Sequence, residues 1–265
     1  MRRLLACIFG IATALPASAA DFDCIIEAHQ NIEVRSPVEA VIESVEVRRG
    51  DLVRKGQVLV TLQSGPERAA LELARSRAQM SGELLAAEAR LELAQKKHAR
   101  AQELYKQNFV SVNALDEAEA EMRFATEQLR QAKESQKLAQ LEEDRAAEVL
   151  ALRTIRSPLS GVVVEVTQQP GEFATSNLQA PIVKLAQIDP LDVEVILPVS
   201  MYGKINRGDI AVVMPEQPVG GRHRAKVSVV DRTIDAASGT FGVQLALPNP
   251  GGKIPAGARC RVRFP

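Results

Sequence analysis

Catalysis and metal binding need reactive side chains at spacings that let them converge, and this chain of 265 residues offers few of them. Its three histidines, His29, His98 and His223, stand far apart, with no H-E-x-x-H and no Cys/His ligand spacing. Ser238-Gly239-Thr240 lacks the pattern of a nucleophile elbow and has no His or Asp at an informative spacing. Gly50-Asp51 and Gly208-Asp209 read as turn residues, and the five methionines are scattered, so a soft-metal relay has no support. The expectation is a protein that is not an enzyme, with no catalytic residue, no metal and no cofactor. A different kind of chemistry is concentrated in one stretch. Arg100 to Ser111 reads R-A-Q-E-L-Y-K-Q-N-F-V-S and places Leu104, Tyr105, Phe109 and Val110 between two solvated runs, in a chain with only 3% aromatic residues. An apolar cluster in that setting suits contact with another protein.

The chain opens with M-R-R, an apolar run from Leu4 to Leu15, and the small residues Pro16-Ala17-Ser18-Ala19-Ala20, which together read as a secretory signal peptide cut after Ala19 or Ala20. The run is too short for a membrane span, which needs about 20 apolar residues. Cys7 lies inside it and leaves with the leader. Two cysteines then remain, Cys24 and Cys260, each in a segment that reads as strand. In an oxidising compartment they form either a disulfide tying the two ends of the chain or two small buried hydrophobes. Lysine plus arginine and aspartate plus glutamate each number 33, and this balance gives no reason to invoke nucleic acid or an anionic membrane.

The elements that must carry the Arg100–Ser111 stretch are set by a repeat and an interruption. Val34-Arg35-Ser36-Pro37-Val38-Glu39-Ala40-Val41-Ile42 matches Ile155-Arg156-Ser157-Pro158-Leu159-Ser160-Gly161-Val162-Val163. Each copy leads into a β-branched strand, a glycine turn and a further strand, too little to bury a core alone. Two halves face to face would make one small β-sandwich. Between them a 4,3 spacing runs through Leu73, Met80, Leu84, Ala87, Leu91, Ala94, His98, Ala101 and Tyr105, with Arg77 as a further polar member. A 3,4 spacing returns through Leu115, Ala118, Met122, Ala125, Leu129, Ala132, Gln136, Ala139, Glu143, Ala146 and Leu150. These are heptad seams. Proline is absent from Glu67 to Ser157, so neither arm is expected to break. Arms of about 40 residues give an antiparallel coiled-coil rod of roughly 60 Å, with Ser111 capping the returning helix. His98, on the seam, reads as a packing or partner contact, and His223 lies in the basic loop Gly220-Gly221-Arg222-His223-Arg224. After Leu185, alternating strands separated by Gly, Pro and Asn predict a small antiparallel barrel, joined to the sandwich by Gln187 to Pro190.

The fold class is therefore mainly β with a long antiparallel helical hairpin. Its expected divisions are a leader (1–20), a sandwich in two halves (21–65 and 154–188), the hairpin (66–153) and the barrel (189–265). This layout resembles the periplasmic adaptor subunits, or membrane fusion proteins, of tripartite efflux pumps and type I secretion systems. Val47-x-x-Gly50-Asp51-x-Val53-x-x-Gly56-Gln57-x-Leu59 is similar to the turn-and-strand pattern of biotinyl/lipoyl domains. At the place of their modifiable Lys the chain has Gln63-Ser64-Gly65-Pro66, which argues against a carrier of biotin or lipoate. Asp231-Arg232-x-Ile234-Asp235-x-x-Ser238-Gly239-Thr240-Phe241, Asn249-Pro250 and Pro255-x-Gly257 resemble the closing segment of the adaptor barrel. They are read as turn residues. Arg100-x-x-x-Leu104-x(6)-Ser111 has the spacing of adaptors that dock onto TolC-like outer-membrane channels. The resemblance implies a periplasmic homo-oligomer, a ring of six, held to an inner-membrane transporter of the RND or ABC type. Arg100, Leu104, Phe109, Val110 and Ser111 would then meet the channel. Larger adaptors carry a membrane-proximal domain for which Asp21–Ile32 and the end at Pro265 leave no room. A periplasmic coiled-coil scaffold unconnected with transport is the competing reading.

Overall fold

A computed structural model describes residues 21–175 and 181–265. The expected leader lies outside the described residues. The first sandwich half holds β2 (Ala40–Val45), β3 (Leu52–Val53) and β4 (Val58–Leu62). The second begins after β5 (Thr154–Arg156) and holds β6 (Gly161–Val166), β7 (Phe173–Ala174) and the first part of β8 (Val183–Pro198).

The two halves interlock. β3 of the first pairs with β6 of the second, and β7 of the second pairs with β2 of the first. Backbone bonds repeat the exchange: the Gly50 N–H donates to Val163 O (2.8 Å) and the Val163 N–H to Asp51 O (2.9 Å), while Gly171 N–H donates to Ile42 O and Ile42 N–H to Glu172 O, both at 2.9 Å. Gly50 and Gly171 both adopt positive φ, 93° and 92°, which is why glycine precedes the acidic residue in each copy. The R-S-P signature serves the same purpose twice. Ser36 and Ser157 are buried, and each hydroxyl donates to the carbonyl two residues on, that of Val38 and of Leu159. One core results, with Ile42, Val53, Leu59 and Leu62 from the first half against Leu159, Val163, Ile182 and Leu185 from the second.

The remaining strands are β1 (Asp21–Val34), β9 (Ile210–Pro215), β10 (His223–Val230), β11 (Thr240–Leu247) and β12 (Arg259–Arg263). The order β1-β12-β9-β10-β11-β8 closes on itself through β1–β8 pairing, so six antiparallel strands form a barrel without free edges. Its interior follows from period-two alternation, as in β11, where Phe241, Val243, Leu245 and Leu247 all point inward.

Two expectations are corrected. No linker separates sandwich and barrel at Gln187–Pro190, because the 16-residue β8 runs through both. β1, expected within the first sandwich half (21–65), does the same: Cys24 and Ile26 sit in the barrel core while Val34 belongs to the sandwich, with a bulge between Ala28 and Gln30. Two long paired strands satisfy their backbone groups across the junction, where a loop would leave them unpaired. Cys24 lies directly opposite Cys260 in the β1–β12 ladder, with Cα atoms 4.9 Å apart and the sulfurs at bonding distance.

Candidate functional site

The hairpin consists of α1 (Gly65–Ala78), α2 (Gly82–Lys106) and α3 (Val112–Ala151). It is rooted by a half-buried pair in which Arg153, just past α3, donates to Glu67 in the first turn of α1 (2.5 Å). Two exposed pairs cross between the arms, Arg75 to Glu143 (3.2 Å) and Lys97 to Glu121 (2.8 Å). They fix an antiparallel register that brings Ala87 and Ala94 level with Ala132 and Ala125. All four of these alanines are buried, so the helices approach closely where the seam is smallest. From Leu84 to Ala101, and along α3 from Leu115 to Leu150, the residues shielded by the partner arm are those of the expected seams.

The outgoing arm departs from expectation nearer the root. It breaks at Gln79–Ser81, and before the break the shielded positions are Glu67, Leu71, Ala74 and Ala78. Leu73 and Met80, expected in the seam, are exposed. A strict heptad from Ala78 would next reach position 85, whereas the inward residue is Leu84; the interruption removes that one-residue mismatch in phase. Absence of proline was an insufficient guide, because adjacent Ser81 and Gly82 are themselves a helix-breaking pair.

At the far end, α2 terminates in a Schellman motif. Asn108 takes φ 62°, its N–H donates to Tyr105 O (2.9 Å), and the Phe109 N–H donates to Leu104 O (2.9 Å). Asparagine tolerates this left-handed position, a local signal that the sequence carries. Ser111 then caps α3, its hydroxyl accepting from the Ala114 N–H at 3.3 Å, as the sequence predicted. The bend presents Phe109, 74% exposed, beside the exposed side chains of Leu104, Tyr105 and Val112. Val110, expected at the exposed tip, is half-buried, and Val112, outside the expected set, is exposed. Arg100 is exposed one turn below Leu104 and enters no ion pair among the described residues. Chemically the tip is an apolar knob with one unpaired guanidinium, suited to packing into a groove that offers an acceptor.

The other singled-out residues fall elsewhere. His98 is half-buried in the seam. His223 Nε2 lies 3.3 Å from Gly220 O in its loop. His29 pairs through Nδ1 with buried Asp192 (3.0 Å), which also accepts from Gln244 Nε2 (2.8 Å), a link across 163 positions that no local pattern discloses. Asp235 accepts from the Ala237 N–H and the Ser238 hydroxyl, and those bonds hold its carboxyl below the usual aspartate range. At the end of β4, Ser64 is buried and its oxygen accepts from Arg68 Nε (2.9 Å) as α1 begins, so the strand leads into the hairpin with no lysine at the turn. No helix among the described residues is long and apolar enough to cross a membrane.

Residues 30–185 match the CzcB-like, barrel-sandwich hybrid domain, which spans the interlocked halves and the hairpin inserted between them. The chain belongs to this family. Among curated relatives of this barrel-sandwich hybrid protein, the multidrug resistance protein MdtA of Yersinia enterocolitica is 29% identical over 187 residues, covering 71% of this chain and 39% of MdtA. An uncharacterized protein of Haemophilus influenzae is 25% identical over 241 residues, covering 91% of this chain and 56% of its own length. The chain thus spans about half or less of the curated relatives it matches. Among solved structures, MacA from Actinobacillus actinomycetemcomitans superposes with a TM-score of 0.73 at 20% identity, over 93% of this chain and 78% of that one. The membrane fusion protein Spr0693 from Streptococcus pneumoniae superposes with a TM-score of 0.60 at 18% identity, over 93% and 99% respectively. The fold is that of membrane fusion proteins.

Proposed function

We propose that this barrel-sandwich hybrid protein is a periplasmic adaptor of a tripartite efflux or type I secretion system. In this reading it bridges an inner-membrane transporter, RND or ABC, to a TolC-like outer-membrane channel, and its hairpin tip makes the channel contact. The observation that carries the proposal is the tip: Leu104, Tyr105, Phe109 and Val112 stand exposed together at the end of the helical arm farthest from both β cores. A single rod with alanine-dominated seams buries little of its own surface, so neighbouring copies arranged as a ring of six would supply the missing burial, the two arms supercoiling as a coiled coil. The protein itself would catalyse no step, with energy coming from the transporter. The Cys24–Cys260 bridge fits residence in an oxidising compartment.

Leu104→Glu tests the tip. It places a carboxylate in the apolar knob without touching either β core, and burying that charge at an interface costs several kcal/mol unless it is paired. A cysteine crosslink from position 109 to the co-expressed channel should fall at least tenfold, with export falling alongside. Unchanged crosslinking and export would favour the transport-independent scaffold instead.

A further inference from the structure

Balanced net charge conceals one strongly cationic surface. On the barrel wall made by β10, β9, β12 and β1, inward and outward residues alternate, and the outward set can be followed row by row through the strand registers. One row runs Arg224, Val212, Arg263, Asp21; the next has Met214, Arg261 and Asp23, and Arg222 directly precedes β10. Lys226 stands opposite Ile210, and Arg259 opposite Ile25. Six cations therefore surround Ile210, Val212 and Met214, which are exposed or half-buried. The acidic groups lie at the margins: Asp21 and Asp23 on β1, and Asp209 and Glu216 at the two ends of β9. Among the described residues Arg263 alone of the six is in a salt bridge, its Nε 2.6 Å from Asp21 Oδ1, and that hydrogen bond, with the charges of Arg263, Arg261 and Arg222, keeps the exposed Asp21 carboxyl below its ordinary range.

We infer that this wall docks on an anionic phospholipid surface. Charge complementarity calls for an anionic partner. An apolar centre ringed by long cationic side chains matches the headgroup boundary, where aliphatic stems lie along acyl chains while their charges reach phosphates. The wall is continuous sheet, and a layer of mobile headgroups can follow it without complementary relief. The adaptor reading bears on this only by naming which membrane is meant, the outer leaflet of the inner membrane. Docking there would hold the barrel against the bilayer through the sheet itself.

The test is co-sedimentation of the purified full chain with vesicles of phosphatidylcholine mixed with phosphatidylglycerol, and with phosphatidylcholine alone. Binding is expected only to the charged vesicles and should weaken with salt. Each cation contributes roughly fivefold near such a surface, so the exposed triple variant Arg222→Gln, Arg224→Gln, Arg261→Gln should bind about a hundredfold more weakly. Its circular dichroism should match the unaltered chain, while Arg130→Gln on the hairpin should leave binding intact. Equal binding to neutral vesicles, or an unaffected triple variant, would overturn the inference. Absence of vesicle binding would overturn it too and leave an acidic protein face as the partner. Leu104→Glu should bind charged vesicles normally, so failure at this wall and failure at the tip can be told apart.

Discussion

Gly161 occupies in the second half of the sandwich the place that Ala40 holds in the first, and the two positions differ in how closely a neighbouring strand approaches. A Cβ built on Gly161 would lie 2.2 Å from the carbonyl oxygen of Ala186, 2.9 Å from its carbon and 3.0 Å from Leu159 Cδ1. Two of those atoms are backbone, so relief requires β6 and β8 to separate. The backbone at Gly161 is not in the left-handed region, which makes the penalty for Gly161→Ala steric and leaves little room for a conformational share. Overpacking of this kind costs about 1–3 kcal/mol. At about 2–4 °C per kcal/mol for a chain of this size, the thermal midpoint of the β region should fall measurably. Ala40→Gly, at the matching position with its buried Cβ, should cost only about 0.5–1 kcal/mol. Because the hairpin can melt separately from the cores, amide exchange at Val163 and Leu185 is the more decisive assay. Both amides should exchange faster in Gly161→Ala, together with the bonds that Val163 makes to Gly50 and Asp51. An unchanged midpoint with unchanged protection at these amides would refute the close approach of β6 to β8.

Further outcomes can be checked with simple variants. Ala94→Leu forces a large side chain between closely packed arms at the level of Ala125. It should destabilise the hairpin by about 1–3 kcal/mol, seen as an earlier loss of helical circular dichroism; no change would mean that the arms are not apposed there. The Cys24–Cys260 bridge closes a separation of 236 residues, and removing it as the double serine variant should lower stability by about 2–4 kcal/mol. Non-reducing mass mapping that finds both thiols free would remove the bridge from the account.

Much of this architecture was legible locally. The R-S-P repeat announced two equivalent β units, because the same buried serine turn and the same positive-φ glycine are needed wherever that strand crosses to its partner. The return arm follows its expected seam along its length, since a 40-residue helix shields one face at a fixed period. The outgoing arm departs from the expected seam before Gln79 because Ser81-Gly82 interrupts the helix without a proline. At the tip, Arg100, Leu104 and Ser111 flank the bend, and Ser111 performs the capping expected of it. The role of Asn108 and the exposure of Val112 required the geometry of the turn itself.

By itself the sequence determined element type and order, the split of the sandwich around a hairpin, and the capped bend that exposes apolar residues. These follow from propensities and periodicities acting over a few turns or strands. Tertiary structure decided the rest: that β1 and β8 run through both cores, that each half donates a strand to the other, and that Asp192 meets His29. It also gathered cations from β10 and β12 onto one barrel wall. The physical reason is common to all of these. They depend on which distant strands pair and in what register, and a register is chosen by the whole sheet when it closes, with no short stretch of chain carrying it.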